Sequence, residues 1–256
     1  MKKIQTIRGY TVRTIFPQYL FAVLALAVLV VEQNYLWLIA AFCSWFLFYV
    51  VGEGIFLHRY FSHTSFNCGK TISRVGALLA ALGAFGTPIS YRIVHITHHA
   101  KSDTVEDPHS PVISFYKAFI GWQLNKETGN LPLILGKKFL SDKFFVFLEQ
   151  YSVKVWWLFM LLTLLIDWHL TLFLCLGSSI GMFMTSITNS AGHMWGSRRF
   201  ETKDNSRNFA WFSWFCWQGS GALQNNHHAH PSRHHDSHAW YEFDIGKWII
   251  PLIGKV

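Results

Sequence analysis

The residues best suited to chemistry in this 256-residue chain are its fourteen histidines, most of which fall in groups. His58 and His63 stand in an H-x-x-x-x-H spacing within FLHRYFSH, and His95, His98 and His99 form H-x-x-H-H within VHITHH. His193 lies in NSAGHMWG, and His227 and His228 close QNNHHAHP. On a helix, positions i, i+3 and i+4 share a face, so His95, His98 and His99 can present three imidazoles to one place. Positions i and i+5 fall roughly 140° apart on an ideal helix. His58 and His63 then either straddle a site, one reaching each of two metals, or are divided by a helix end. A catalytic zinc takes three protein ligands and keeps one position open, so these imidazoles exceed the need of one metal and suit two. Imidazole serves iron, copper, zinc and nickel alike, which leaves the metal open at this point. Neutral ligands leave such a pair strongly cationic, and carboxylates are expected beside the rings; Asp103, Glu106, Asp107 and Asp236 are the candidates. His109 and His169 read as satisfied interface residues outside the constellation. The tract 227–238 alone would suit a weak metal-binding tail, but clusters on separate segments favour one shared site.

Such distant segments need a scaffold that brings them together, and hydropathy supplies one. Four stretches are apolar enough to cross a bilayer, about 15–31, 35–57, 153–168 and 170–190. The two near 153–190 are interrupted only by Asp167-Trp168-His169, which reads, like Glu32-Gln33-Asn34, as the tight turn of a helical hairpin. The third is short and must recruit residues before Val155. A further apolar stretch, 75–90, is broken by Gly76, Gly83 and Gly86 and closed by Pro88. Charge placement decides its role: none of the twenty-two Lys and Arg lies in either short turn. Four spans put Lys2, Lys3, Arg8 and Arg13 on one side with Arg59, Arg92 and Lys101, as the positive-inside rule wants, whereas a fifth would split them. The stretch 75–90 is therefore expected to be interfacial or packed, and both termini cytoplasmic. The first apolar run lacks a small-residue cleavage site and reads as a span. The expected fold is all-α and integral to the membrane, a single domain over 1–256. Two helical hairpins carry a helical cytoplasmic cap, and every histidine group converges on the cytoplasmic face.

Composition agrees. Hydrophobic residues make up 51% and charged residues only 14%, against about 25% in an ordinary soluble domain, which suits a chain solvated by lipid. The net charge of +8 comes with no nucleic-acid-binding pattern and fits anionic headgroups or an acidic carrier or redox protein. Cys43, Cys68, Cys175 and Cys216 are scattered, which argues against a disulfide framework and a thiolate-ligated cluster.

At HRYFSHTSF, HITHHAKSDTVEDPHSP, NSAGHMWG and QNNHHAHP the chain resembles the membrane fatty acyl desaturases, specifically the acyl-CoA delta-9 type and its bacterial and cyanobacterial relatives. The likeness covers nearly the whole chain. Ser102-Asp103 with Asp107-Pro108-His109 is its most specific part, since histidine spacing alone also occurs in membrane hydroxylases. The resemblance implies a di-iron centre that uses O2, with His58, His63, His95, His98, His99, His193, His227 and His228 as ligands. It also implies that Asn189 reaches a metal through water, and that the membrane is a bacterial inner membrane. One departure stands out: Gln224 occupies the place where the third histidine box usually begins with His. An amide oxygen is a harder and weaker ligand than imidazole, so one iron would be held less firmly.

The implied reaction removes two hydrogens from adjacent methylenes of an acyl chain on CoA, acyl carrier protein or a lipid. An unactivated methylene offers no polar handle, so position must be set by an apolar tunnel. Tyr91 and the run Phe209–Trp217, with Trp211 and Trp214, could line it, although an interfacial helix would use the same aromatics. Arg92, Lys117, Arg198 and Arg199 could hold a carrier phosphate, against the alternative of a solvated or lipid-facing basic surface. The chain carries no haem, iron–sulfur or dinucleotide motif, and a separate ferredoxin or cytochrome b5-like electron donor is implied. A hydroxylase or an acetylenase could use the same metal pair. A histidine-rich metal transporter would need ionisable residues within its spans, and only Glu53 comes near one.

Overall fold

A computed structural model describes residues 7–124 and 131–256; Lys2 and Lys3 lie outside them, as does the side chain of Arg8. Among the described residues, four helices are long and apolar enough to cross a membrane: α1 (Thr11–Glu32), α2 (Tyr35–His63), α5 (Lys143–Ile166) and α6 (Trp168–His193). Their outer faces are apolar and open, with Leu20, Val23, Val30, Leu158, Leu162 and Leu165 all exposed, as side chains dissolved in lipid should be.

These helices extend beyond the spans that hydropathy outlines, and the extensions carry the chemistry. Helix α2 runs six residues past 57, to His63, and α5 begins at Lys143 where Asp142 accepts from Phe144 N at 2.9 Å. With 29 residues, α2 is longer than the roughly 20 residues that cross the hydrocarbon core. Its last turns therefore stand in the cap beyond the spans. The early start of α5 also places Glu149 within a spanning helix, so Glu53 is not the only ionisable group there.

The two tight turns form as expected. Gln33 takes a left-handed conformation (φ 53°), and Asp167 caps α6 by accepting from His169 N at 2.8 Å. His169 then bridges the hairpins, with Nε2 2.9 Å from Glu32 and the ring stacked 5.1 Å from Trp37. Between the hairpins, α3 (Lys70–Leu82) has 13 residues, about 20 Å, too short to cross. It lies against α2 through Ala77, Ala80 and Ala81, all fully buried. Gly52 permits this approach, because a Cβ there would lie 2.7 Å from Ala80 N. The chain then enters α4 (Pro88–Lys101), capped by Thr87.

Helices α2 and α6 meet at Gly177, where any Cβ would overlap the carbonyl of Ala41. Small residues at such crossings let membrane helices pack without hydrophobic drive. Gly177→Leu is expected to lower stability by about 1–3 kcal/mol, the usual cost of overpacking, read as a lower melting temperature in detergent. The cap is completed by α7 (Ala210–Cys216), α8 (Gln224–Ala229) and α9 (Gly246–Ile253).

Candidate metal centre

Over Trp45–His63, α2 adopts the wider π-helical register, in which hydrogen bonds close on i+5. His58 and His63 are therefore one turn apart on the same face, with ring centroids 4.9 Å apart. The expectation that they straddle the site fails because it assumed 3.6 residues per turn. Helix α4 adds His95 and His99 one α-turn apart, and α8 adds His227.

The potential ligand atoms of His58, His63, His95, His99 and His227 all lie within 4.8 Å of one another. Nε2 of His63 is 2.7 Å from that of His95, and Nε2 of His227 is 3.1 Å from His58 and 3.0 Å from His99. A second group joins His98, His193 and His228 within the same limit. The i+3 step from His95 turns His98 toward this second group, so α4 serves both.

Carboxylates back the rings from outside. Asp107 lies 3.0 Å from His98 Nδ1, Asp103 3.1 Å from His193 Nδ1 and Asp236 3.3 Å from His227 Nδ1. Asp204 is 2.7 Å from His228 Nδ1. Sequence reasoning missed Asp204, which sits in a polar loop with no motif around it; only the fold brings it under His228. Asp103 takes a left-handed conformation (φ 64°) that lets Oδ2 also accept from Asn205 N at 2.6 Å. Glu106, by contrast, forms an exposed pair with Lys101 and stands away from the rings. His109 is a correction of another kind: it is buried and stacked 4.2 Å from His98, not a bystander.

Deeper still, Arg59 is 1% exposed and donates to Asp236 at 2.8 Å and to Asp244 at 2.6 Å. This buried trio anchors the carboxylate that orients His227. Arg59 and Asp244 carried no sequence signal beyond Arg59 following His58.

The donor set fits a pair of metal ions. A carboxylate at Nδ1 holds the N–H there and leaves Nε2 as a bare lone pair. In the five-imidazole group, where His227 has such a carboxylate, ring nitrogens meet at 2.7–3.1 Å, close enough to share one cation. The protonation balance agrees: burial, and then the neighbouring imidazoles, push His95, His98 and His99 well below the ordinary histidine range, and burial brings His228 down to about 4. All four are neutral at physiological pH and ready to ligate.

Gln224 shares the face of His227 and His228 one turn earlier on α8. It is buried beside Gly192, a Cβ on which would lie 3.0 Å from Gln224 Cγ, and its Oε1 has no hydrogen-bond partner. His193 Nε2 is likewise buried and unpartnered. Gln224 thus lies beside the residue that precedes His193 of the three-imidazole group.

A cavity beside the histidines is lined by His95, His109 and Asn189, by Tyr91, Thr87 and Glu149, and by Tyr10 and Ile15. Tyr91 lines it, but Trp211 and Trp214 do not; both are more than half exposed on α7. Arg92 is not poised for a phosphate, because its guanidinium donates to the carbonyls of Leu135, Phe61 and Ser62 at the end of α2. Arg199 is spent on Glu242 at 2.8 Å, and Arg198 donates to Thr202 O at 2.8 Å.

Residues 35–244 match the fatty acid desaturase family model. The chain is similar to the Delta-9 desaturase-like 5 protein of Arabidopsis thaliana, with 29% identity across 76% of this chain and 66% of that protein. It is 31% identical to the sn-2 palmitoyl-lipid 9-desaturase of Nostoc sp. (strain 36), across 83% of this chain and 76% of that one. It is 30% identical to the hex-5-enoyl-[acyl-carrier protein] acetylenase of Moorena producens (strain JHB), across 78% and 69%. The chain spans just under two thirds of the length of the plant relative.

Proposed function

The chain belongs to the fatty acid desaturase family, and we propose that it is an integral-membrane fatty acyl desaturase using O2 at a di-iron centre, with its single domain's termini and cap on the cytoplasmic side of a bacterial inner membrane. The observation that carries this reading is the convergence of eight imidazoles from α2, α4, α6 and α8 into a group of five and a group of three. His58, His63, His95, His99 and His227 would hold one iron. His98, His193 and His228 would hold the other with the Gln224 amide, and Asn189 would act through water. When bound, the iron pair supplies O2 activation and the removal of two hydrogens from adjacent, unactivated methylenes, with O2 reduced to water. The protein's own part is to orient the rings through Asp103, Asp107, Asp204 and Asp236, and to bury the reacting methylenes in the cavity beside His95 and Asn189. The acyl group would arrive on CoA, acyl carrier protein or a lipid. Electrons would come from a separate ferredoxin or cytochrome b5-like protein.

Acyl profiling of membranes that express the chain, by mass spectrometry, tests this. Loss of two hydrogens from an acyl chain supports it. An added oxygen would instead mean hydroxylation, and an unchanged profile with iron, O2 and reductant supplied would count against it. A second dehydrogenation to a triple bond is the alternative outcome, favoured by the likeness to the Moorena acetylenase, and would appear as loss of four hydrogens.

The unequal groups make a further prediction. Gln224→His should raise iron content toward two per chain, because imidazole binds these metals better than an amide does. Metal analysis of the purified variant and parent checks it; equal iron content would remove Gln224 from the site.

A further inference from the structure

Residues 208–223 carry no charge, and the helix within them, α7, is the reverse of a helix that meets water. Its small residues Ser213 and Cys216 are buried, while Trp211, Trp214 and Phe215, at i, i+3 and i+4, form its outward face. Trp211 is 67% exposed and Phe215 62%. Helix α9 repeats the pattern. Ile250 is fully buried, and Trp248 and Leu252, one turn apart, stand outside, Leu252 at 84%. Trp240, in the loop before α9, is 91% exposed. Loop 201–205 behaves as a water-facing surface should and turns Glu201, Lys203 and Asn205 outward.

The apolar side chains form one band. Ring centroids of Trp214 and Trp248 lie 4.8 and 5.4 Å from that of Phe243, which lies 6.1 Å from that of Trp217. Trp214 Nε1 donates to the carbonyl of Tyr241 at 3.0 Å, which ties the Trp240 loop to α7. Trp217, the residue after α7, packs among Phe42, Trp45 and Phe46 of α2 at 5.3–6.1 Å. That contact sets the level of the band, because Phe42, Trp45 and Phe46 belong to a spanning helix on which Phe42 is itself exposed. The aromatic face therefore continues the lipid-facing surface of α2 and is no island on the cap. Lys247 accompanies it, its ammonium 5.8 Å from the centroid of the Trp248 ring. Indole rings with a lysine beside them suit a membrane–water boundary, where the rings meet acyl chains and the ammonium reaches toward headgroups.

We infer that α7, Trp240 and the outer face of α9 form a second, non-spanning membrane contact, covered by lipid of the leaflet on the cap side. The occupant is lipid and not a protein partner, because the band runs without a break into a surface that lipid already covers, and its rings carry the composition of an interfacial helix. The contact holds the cap along an edge that leads into α8, whose His227 and His228 belong to the two imidazole groups. It depends on the chain being integral to the membrane and not on the reaction that the chain performs.

Photolabelling tests this. The purified full chain is reconstituted in vesicles of phosphatidylcholine and phosphatidylglycerol that include a phospholipid with a diazirine on its acyl chain. It is then irradiated, digested and mapped by mass spectrometry. Lipid adducts are expected on 209–217 and 246–253, alongside those on the exposed leucines 158, 161, 162 and 165 of α5, and none on 201–205. Adducts confined to the spans would overturn the inference, whether water, a second copy or another protein covers the face. Equal labelling of 201–205 would overturn it too, since the probe would then report only closeness to the vesicle.

Discussion

His98→Ala is expected to abolish the proposed acyl modification while leaving the protein in the membrane. His98 belongs to the smaller group, where only His193 and His228 accompany it, so its loss leaves two imidazoles and an amide. It is also tied by Nδ1 to both oxygens of Asp107 at 3.0 Å, which fixes its ring before any metal arrives. Loss of a partner that merely orients a ligand costs about 10- to 100-fold in metal affinity or activity, and loss of the ligand itself should exceed that. Activity should therefore fall at least about a hundredfold, with iron content falling in parallel. Product analysis and metal content of the membrane-extracted variant check this. Retained activity with full iron would remove His98 from the ligand set. The His99→Ala variant is the informative partner, because four imidazoles remain in the larger group and some iron should persist.

The second large effect is expected at a residue that touches no metal. Asp236→Asn removes the charge that Arg59 and His227 share at 2.8 and 3.3 Å. Arg59 cannot release its proton, and Asp244 is left as its one ion-pair partner among the described residues, at a site from which water is excluded. Breaking a buried pair by removing one partner costs about 3–5 kcal/mol. His227 also loses the acceptor that sets its tautomer, so iron binding should weaken about 10- to 100-fold. A thermal melt with and without iron separates the two effects. The variant should melt lower in both conditions and gain less from iron than the parent does, since bound ligand stabilises in proportion to its affinity. An unchanged melting temperature would show that the Arg59 trio contributes nothing to holding the cap.

The histidine spacing and the placement of basic residues carried most of this architecture, because both are local properties. Four spans, two tight turns and a non-crossing stretch follow from hydropathy and charge along the chain, and α3, at 13 residues, is too short to be otherwise. The parts that were not legible depend on departures from ideal geometry or on contacts between distant segments. No composition signal announces the π-helical register of α2, yet it alone turns His58 and His63 to one face. Asp204 meets His228 across 24 residues that include α7, and Arg59 meets Asp244 across 185. The start of α5 was misplaced because Lys143, Glu149 and Lys154 dilute the hydropathy of its first turns, which hid that Glu149 belongs to this helix. The aromatic run around Trp211 and Trp214 illustrates the opposite error. Its composition suits a tunnel wall and a lipid interface equally, and only the exposure of both side chains separates them.

The central claim is that eight imidazoles hold a pair of irons, and metal content tests it most directly. Full-length protein extracted from membranes in the presence of iron should carry more than one iron per chain, and His98→Ala should lower that number. One firmly bound zinc per chain with no iron, in the parent protein, would contradict it.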